Sequence, residues 1–124
     1  MVEKESLLMQ CLERNKEALQ EYKDMLDTCS DQIRFLQDEL LSFNVSHSFT
    51  MSLEDFPLSE YIAPSLSWKR FDNGKYHLIF AWTNDRVEYN ERPLIDTKLD
   101  VRICCQGYLS LFLDSLVKSL PKGL

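Results

Sequence analysis

The chain has 124 residues, 44% of them apolar and 27% charged, with a net charge of -6. That composition belongs to a folded chain rather than a disordered tail, and the length allows one domain. Up to Val45 there are ten acidic and five basic residues, against ten and nine in the remainder. With no run of Lys or Arg, the chain has no electrostatic footprint for phosphate backbones, so direct nucleic-acid binding is not expected.

The first element is a long helix. Alternating steps of four and three residues from Leu8 meet Leu12, Asn15, Leu19, Tyr22, Leu26, Cys29, Ile33, Leu36, Leu40 and Phe43. This is a coiled-coil heptad, with Leu12, Leu19, Leu26, Ile33 and Leu40 at a, and Leu8, Asn15, Tyr22, Cys29, Leu36 and Phe43 at d. A strict seven-residue repeat implies supercoiling with another helix. Residues 1–43 are therefore expected to be an oligomerisation helix, in a homodimer or with a paralogous coiled-coil chain, most simply as a parallel pair. In a parallel, in-register homodimer Cys29 would face its own copy. Asn15 would cost stability on the seam and set register or oligomer state, or else mark an imperfect repeat near a frayed end. The flanking e and g positions carry few complementary charges, and Cys11, Ala18 and Met25 at g broaden the seam. No Gly or Pro interrupts the run.

Residues 44–64 change to Ser, Thr, Asp and Pro with scattered apolar residues. Phe49, Met51, Leu53, Phe56 and Leu58 argue for a connector lying against the head, with room for a short strand. Next comes a hairpin. Ser65 to Phe71 and Lys75 to Trp82 flank Asp72-Asn73-Gly74, whose glycine supplies a positive φ. The second strand is apolar on both faces, so it is expected to be central. Arg86 to Tyr89 would form a short return. The run from Thr97 to Cys105 alternates Leu99, Val101, Ile103 and Cys105 with more polar residues and predicts a strand. From Gln106 to Leu120 a helical stripe of Leu109, Phe112, Leu113, Leu116 and Leu120 precedes Pro121 and Gly123. The order predicts an α+β fold: a long N-terminal coiled-coil helix, then a head over residues 65–124 with a small antiparallel sheet and a closing C-terminal helix.

Chemistry is sparsely represented. The cysteines at 11, 29, 104 and 105 make no C-x-x-C pair, and only His47 and His77 could join them, so neither a metal nor any other cofactor is expected. Cys104 or Cys105 with His77 is the one conceivable nucleophile and base; buried cysteines more commonly act as small hydrophobes. Glu54 and Asp55 fit a solvated loop or a helix cap. The chain is thus expected not to be an enzyme, a catalytic thiol protein being the contrary reading. No apolar run approaches about 18 residues and no signal-peptide pattern opens the chain, so neither a membrane span nor export is expected. Trp68, Tyr76, Phe80 and Trp82 would pack the core or line a peptide groove, and Trp68 and Trp82 are the better groove candidates. Tyr108 and Leu111, off the inward stripe of the closing helix, are further candidates for docking a partner.

Three stretches carry a resemblance: Gly74-Lys75-Tyr76-His77-Leu78-Ile79-Phe80-Ala81-Trp82, Leu94-Ile95-Asp96, and Tyr108-Leu109-Ser110-Leu111-Phe112-Leu113-Asp114-Ser115-Leu116. Placed behind a coiled coil, they resemble the strand, crossover and closing helix of the small RWD-like heads of kinetochore proteins. The usual RWD turn, Tyr-Pro with a second Pro, is absent; Tyr61-Ile62-Ala63-Pro64 is not that motif. The resemblance implies an RWD-like head and a non-enzymatic dimeric adaptor in kinetochore or chromosome-segregation assembly. Its head would bind protein subunits or peptides, and its place would be the nucleus, at the kinetochore or chromosome, or otherwise the cytoplasm. The alternative reading is a coiled-coil assembly subunit in trafficking or autophagy, with the head only capping the rod.

Overall fold

A computed structural model describes residues 2–122, with side chains from residue 6 onward. Helix α1 runs from Val2 to Ser42 without a break, a rod of about 60 Å at 1.5 Å per residue. It stops through backbone geometry. Asn44 takes φ 55°, and the amides of Asn44 and Val45 donate to the carbonyls of Leu41 and Leu40, each at 3.0 Å. This is a Schellman cap, in which Asn tolerates the left-handed position and the residue after it packs on the last helical turns. Val45 and Leu40 accordingly meet in the core.

Four strands follow: β1 Phe49–Ser52, β2 Ile62–Arg70, β3 Tyr76–Thr83 and β4 Tyr89–Pro93. They form an antiparallel sheet in the order β1-β2-β3-β4. The hairpin turn closes as its residues require, with Gly74 at φ 74°. The Gly74 amide donates to Phe71 O at 2.7 Å, and Lys75 N donates to Asn73 Oδ1 at 3.0 Å. Strand β1 lies inside the segment read as a connector and pairs Phe49 with Trp68 and Met51 with Leu66. The return strand β4 starts where the expected one would end. Its turn is built on Asn84, whose Oδ1 accepts from the amides of Arg86 and Glu88.

The alternation of each strand assigns the two faces of the sheet. Leu66, Trp68, Leu78 and Phe80 face the core. On the opposite face Ser67, Ile79 and Ala81 are buried as well. Register explains Ile79: Lys69 stands opposite His77 and Glu91 opposite Ala81, so the Lys69–Glu91 ion pair crosses above the residue between them.

The run predicted as a strand from Thr97 to Cys105 is instead helix α2, Leu99–Gln106, preceded by a 3-10 turn at Leu94–Asp96. Val101 and Cys105 are its buried residues, and they satisfy a four-residue helical spacing as well as a two-residue one. The helical solution keeps the backbone hydrogen bonds of this segment local, while β1 and β4 take the sheet edges. The closing helix begins later than expected, as α3 Leu109–Ser119, with Gly107 and Tyr108 between the two helices. Leu109, Phe112 and Leu116 are its buried stripe. The architecture is α+β: a long N-terminal helix, a four-stranded antiparallel sheet and C-terminal helices.

The heptad seam is divided by the fold. Cys29, Ile33 and Leu40 are buried and Leu36 is half-buried; Ile33, Leu36 and Leu40 pack into the head's own core. These positions are therefore filled from within the chain rather than by a helix of another chain. The expectation that Cys29 faces its own copy does not hold, because α2 lies over it. Phe43, the last d position, is 75% exposed since the Schellman cap turns the chain there.

Candidate assembly surface

The stretch of α1 before Cys29 contributes no residue to the head's core. Leu8, Leu12, Leu19 and Tyr22 leave 69%, 51%, 51% and 48% of their surface in water, and Leu26 is half-buried. Heptad spacing sets these side chains on one face, in line with the residues that reach the core further along. The polar member of the row is already satisfied: Asn15 Nδ2 donates to Cys11 O at 2.8 Å. On the outward positions, Gln20 Nε2 donates to Asp24 Oδ1 at 3.0 Å.

Where the row enters the head, α2 covers it with polar side chains. The Cys29 thiol donates to Gln106 Oε1, Gln106 Nε2 donates to Gln32 Oε1, both at 2.7 Å, and Arg102 Nη1 donates to Ser30 Oγ at 2.8 Å. Arg102 Nε is buried without a partner. Desolvation raises the Cys29 pKa, with the Arg102 charge opposing it. Gln37 of α1 closes a different gap. Its Oε1 accepts from Leu78 N at 3.2 Å, on the part of β3 that β4 does not reach.

A groove of about 410 Å³ lies at the other end of the sheet, lined by Glu60, Tyr61, Phe80, Trp82, Arg92, Thr97, Lys98 and Val101. Tyr61 stands edge-on to Trp82 and Phe80, each at 5.4 Å between centroids. Its hydroxyl pKa is raised by desolvation and by the Asp100 and Glu60 carboxylates, against a smaller opposing effect of Arg92.

The four docking candidates fare differently. Trp68 is fully buried, with Nε1 donating to Val45 O at 2.8 Å; it holds the helix exit to the sheet. Trp82 lines the groove. Tyr108 is half-buried, donating to Glu54 O at 2.7 Å and lying 6.2 Å from Phe56, so it ties the connector to the start of α3. Leu111 is exposed. The structure does not gather these four into one surface. Tyr61, Arg92 and Lys98 were not singled out in the sequence, and no local pattern marks them.

Cys105 is fully buried and its thiol is pushed far up by desolvation. His77 hydrogen-bonds Gln37 and Asn73 rather than a thiol. Among the described residues there is no group of three side chains placed to hold a metal ion. No described helix is long and apolar enough to cross a membrane.

Fold and surface together define a class: a helix-stalked α+β protein whose stalk presents an unfilled heptad face. No protein-family model, curated protein or solved structure matches the chain.

Proposed function

We propose that the chain is a non-enzymatic assembly subunit, joined to another helix through the Leu8–Leu26 face and presenting its head to protein partners. The observation that carries this reading is the row of large apolar side chains left in water along a helix whose later turns bury the same row. Burying the remaining half of such a side chain contributes roughly 1 kcal/mol. Leu8, Leu12, Leu19 and Tyr22 on two chains would contribute about 8 kcal/mol, against about 4–15 kcal/mol lost in association. Such a pairing is concentration dependent, and further contacts from a larger assembly strengthen it. The groove beside Trp82 offers aromatic walls with Arg92 and Lys98 at its rim, which suits a short peptide carrying an apolar side chain next to an acidic one.

For the process, the reading is kinetochore or chromosome-segregation assembly in the nucleus. It rests on the order of coiled-coil helix and small α+β head, which resembles the kinetochore-type unit. Two measurements test the two halves of the proposal. Leu12→Asp with Leu19→Asp should abolish recovery of the stalk partner on co-purification while the head stays folded by circular dichroism; undiminished recovery refutes the stalk reading. A tagged copy in dividing cells should concentrate at centromeres, and a uniform distribution through mitosis refutes the process.

A further inference from the structure

The open part of the heptad face, Leu8 to Leu26, spans 19 residues, about 28 Å at 1.5 Å per residue. It ends where α2 is seated on Cys29, Ser30 and Gln32 through Gln106 and Arg102. Its two flanks differ. Cys11, Ala18 and Met25 on the g flank extend the apolar surface, whereas the e flank carries Met9, Lys16 and Lys23. The carboxylates of the same stretch, Glu13, Glu17, Glu21, Asp24 and Asp27, all fall on the outward b, c and f rows. The charge beside the seam is therefore positive only, on a helix that is acidic as a whole. Among the described residues the ion pairs are Arg34–Asp31 and Lys69–Glu91, so Lys16 and Lys23 stand exposed without a carboxylate partner, although Glu13 and Asp27 lie one turn away on the neighbouring row.

We infer that the open face receives one helix of a different chain, apolar along its own seam and carrying Glu or Asp on the flank that meets Lys16 and Lys23. This inference rests on the stalk reading above and names the class of its partner. In a coiled coil the residues flanking the seam set partner choice and orientation. A second copy offers these lysines nothing acidic. Parallel and in register, it would set the partner's Cys11 beside Lys16 and the partner's Ala18 beside Lys23; antiparallel, it would bring its own e flank of Met9 and lysines against them. A foreign helix with carboxylates there neutralises both charges, and it is free to end short of Cys29, where α2 begins.

The polar member of the row agrees with such a partner. An Asn on a coiled-coil seam commonly pairs with its own counterpart, but the Asn15 amide already donates to Cys11 O within its own helix at 2.8 Å, so it demands no matching Asn opposite. The energies divide accordingly. Exposed charge pairs are individually weak and screened by salt, so the two lysines select among helices while the apolar row holds the one selected. Exchanging attraction for repulsion at both lysines should change affinity about tenfold at low ionic strength.

The test offers the full chain a synthetic three-heptad peptide with Leu at a and d, made in two versions that carry Glu or Lys at every e and g position. Like charges on both flanks keep either version from pairing with itself. By fluorescence anisotropy the Glu version should bind more tightly than the Lys version by the factor above, the difference shrinking as salt is added. Lys16→Glu with Lys23→Glu should invert that order while circular dichroism shows the head still folded. Equal affinities for the two versions, or an order that the charge reversal does not invert, overturn the acidic partner. A chain that sediments as a dimer and binds neither version overturns it in favour of a second copy, and a monomer that binds neither overturns it outright. The neutral pair Leu12→Asn with Leu19→Asn separates the two failures: binding that it abolishes without any discrimination by charge removes only the acidic partner, whereas binding that it leaves undiminished removes the stalk reading itself.

Discussion

Leu19 and Ile33 are both a positions of one heptad row on one uninterrupted helix, yet the fold puts them in different environments. Ile33 has 0% of its surface exposed and Leu19 has 51%. Truncating a buried Ile to Ala removes its transfer free energy and leaves a cavity, which typically costs about 2–5 kcal/mol. Ile33 packs into the same cluster as Leu94 and Val101, so its loss should stand at the upper end, near 4 kcal/mol. Leu19 lies outside the head's core, and its truncation should change the stability of the isolated chain by no more than about 0.5 kcal/mol. Domains of this size have about 5–15 kcal/mol in all, so Ile33→Ala should lower the urea midpoint severely while Leu19→Ala leaves it in place. Trp68, buried in the core and bonded to Val45 at the helix exit, supplies the fluorescence signal. The measurement is repeated over a range of protein concentrations, so that any pairing of the stalk shows as a concentration dependence. Equal losses for the two variants would refute the division of the seam, as would a cooperative unfolding of α1 as a whole that is separate from the sheet.

Three other outcomes follow from particular residues. Val87 is 83% exposed at φ 63°, a conformation costing a β-branched residue about 1–2 kcal/mol; Val87→Gly should raise the thermal midpoint by a few degrees, and a lower midpoint would count against the turn as described. The Lys69–Glu91 pair has a Glu91 pKa lowered chiefly by the Lys69 hydrogen bond and a Lys69 pKa raised by the same bond, with desolvation opposing both. The lowered Glu91 pKa contributes stability present above the unfolded carboxylate value and lost as pH falls through the folded value. The raised Lys69 pKa contributes stability present below the unfolded ammonium value and lost as pH rises through the folded one. Glu91→Gln should thus be most destabilising in the neutral plateau and nearly silent at strongly acidic pH, as read from urea midpoints across pH. Thiol labelling followed by mass spectrometry should modify exposed Cys11 rapidly and half-buried Cys104 slowly, and reach Cys29 and Cys105 only on unfolding; rapid labelling of Cys29 in the native chain would place α2 elsewhere.

Local order was legible wherever a short stretch of chain carries its own physical instruction. The long helix follows from an apolar period running from Leu8 to Phe43 without Gly or Pro, and the β2–β3 hairpin from two alternating runs around a turn that only Gly74 closes freely. The α+β class follows from their order. The stretch at 97–105 was misread because Val101 and Cys105 fit the period of a strand and of a helix equally, and eight residues are too few to separate them; the helix is settled by what it packs on. The heptad row could not reveal that one half packs into the chain's own core while the other stays in water. The hydrophobic effect has no direction, so Ile33 under α2 and Leu19 in water obey one pattern. Trp68 and Trp82 likewise look alike as aromatic strand residues, and only the exit of α1 over one and the mouth of the Tyr61 groove at the other tell them apart. That groove joins a connector residue to Arg92 and Lys98 more than thirty positions away, a proximity created solely by folding. Periodicity along the chain thus determined which apolar residues share a face, whereas the tertiary arrangement decided which of them are buried within the chain and which stay in water.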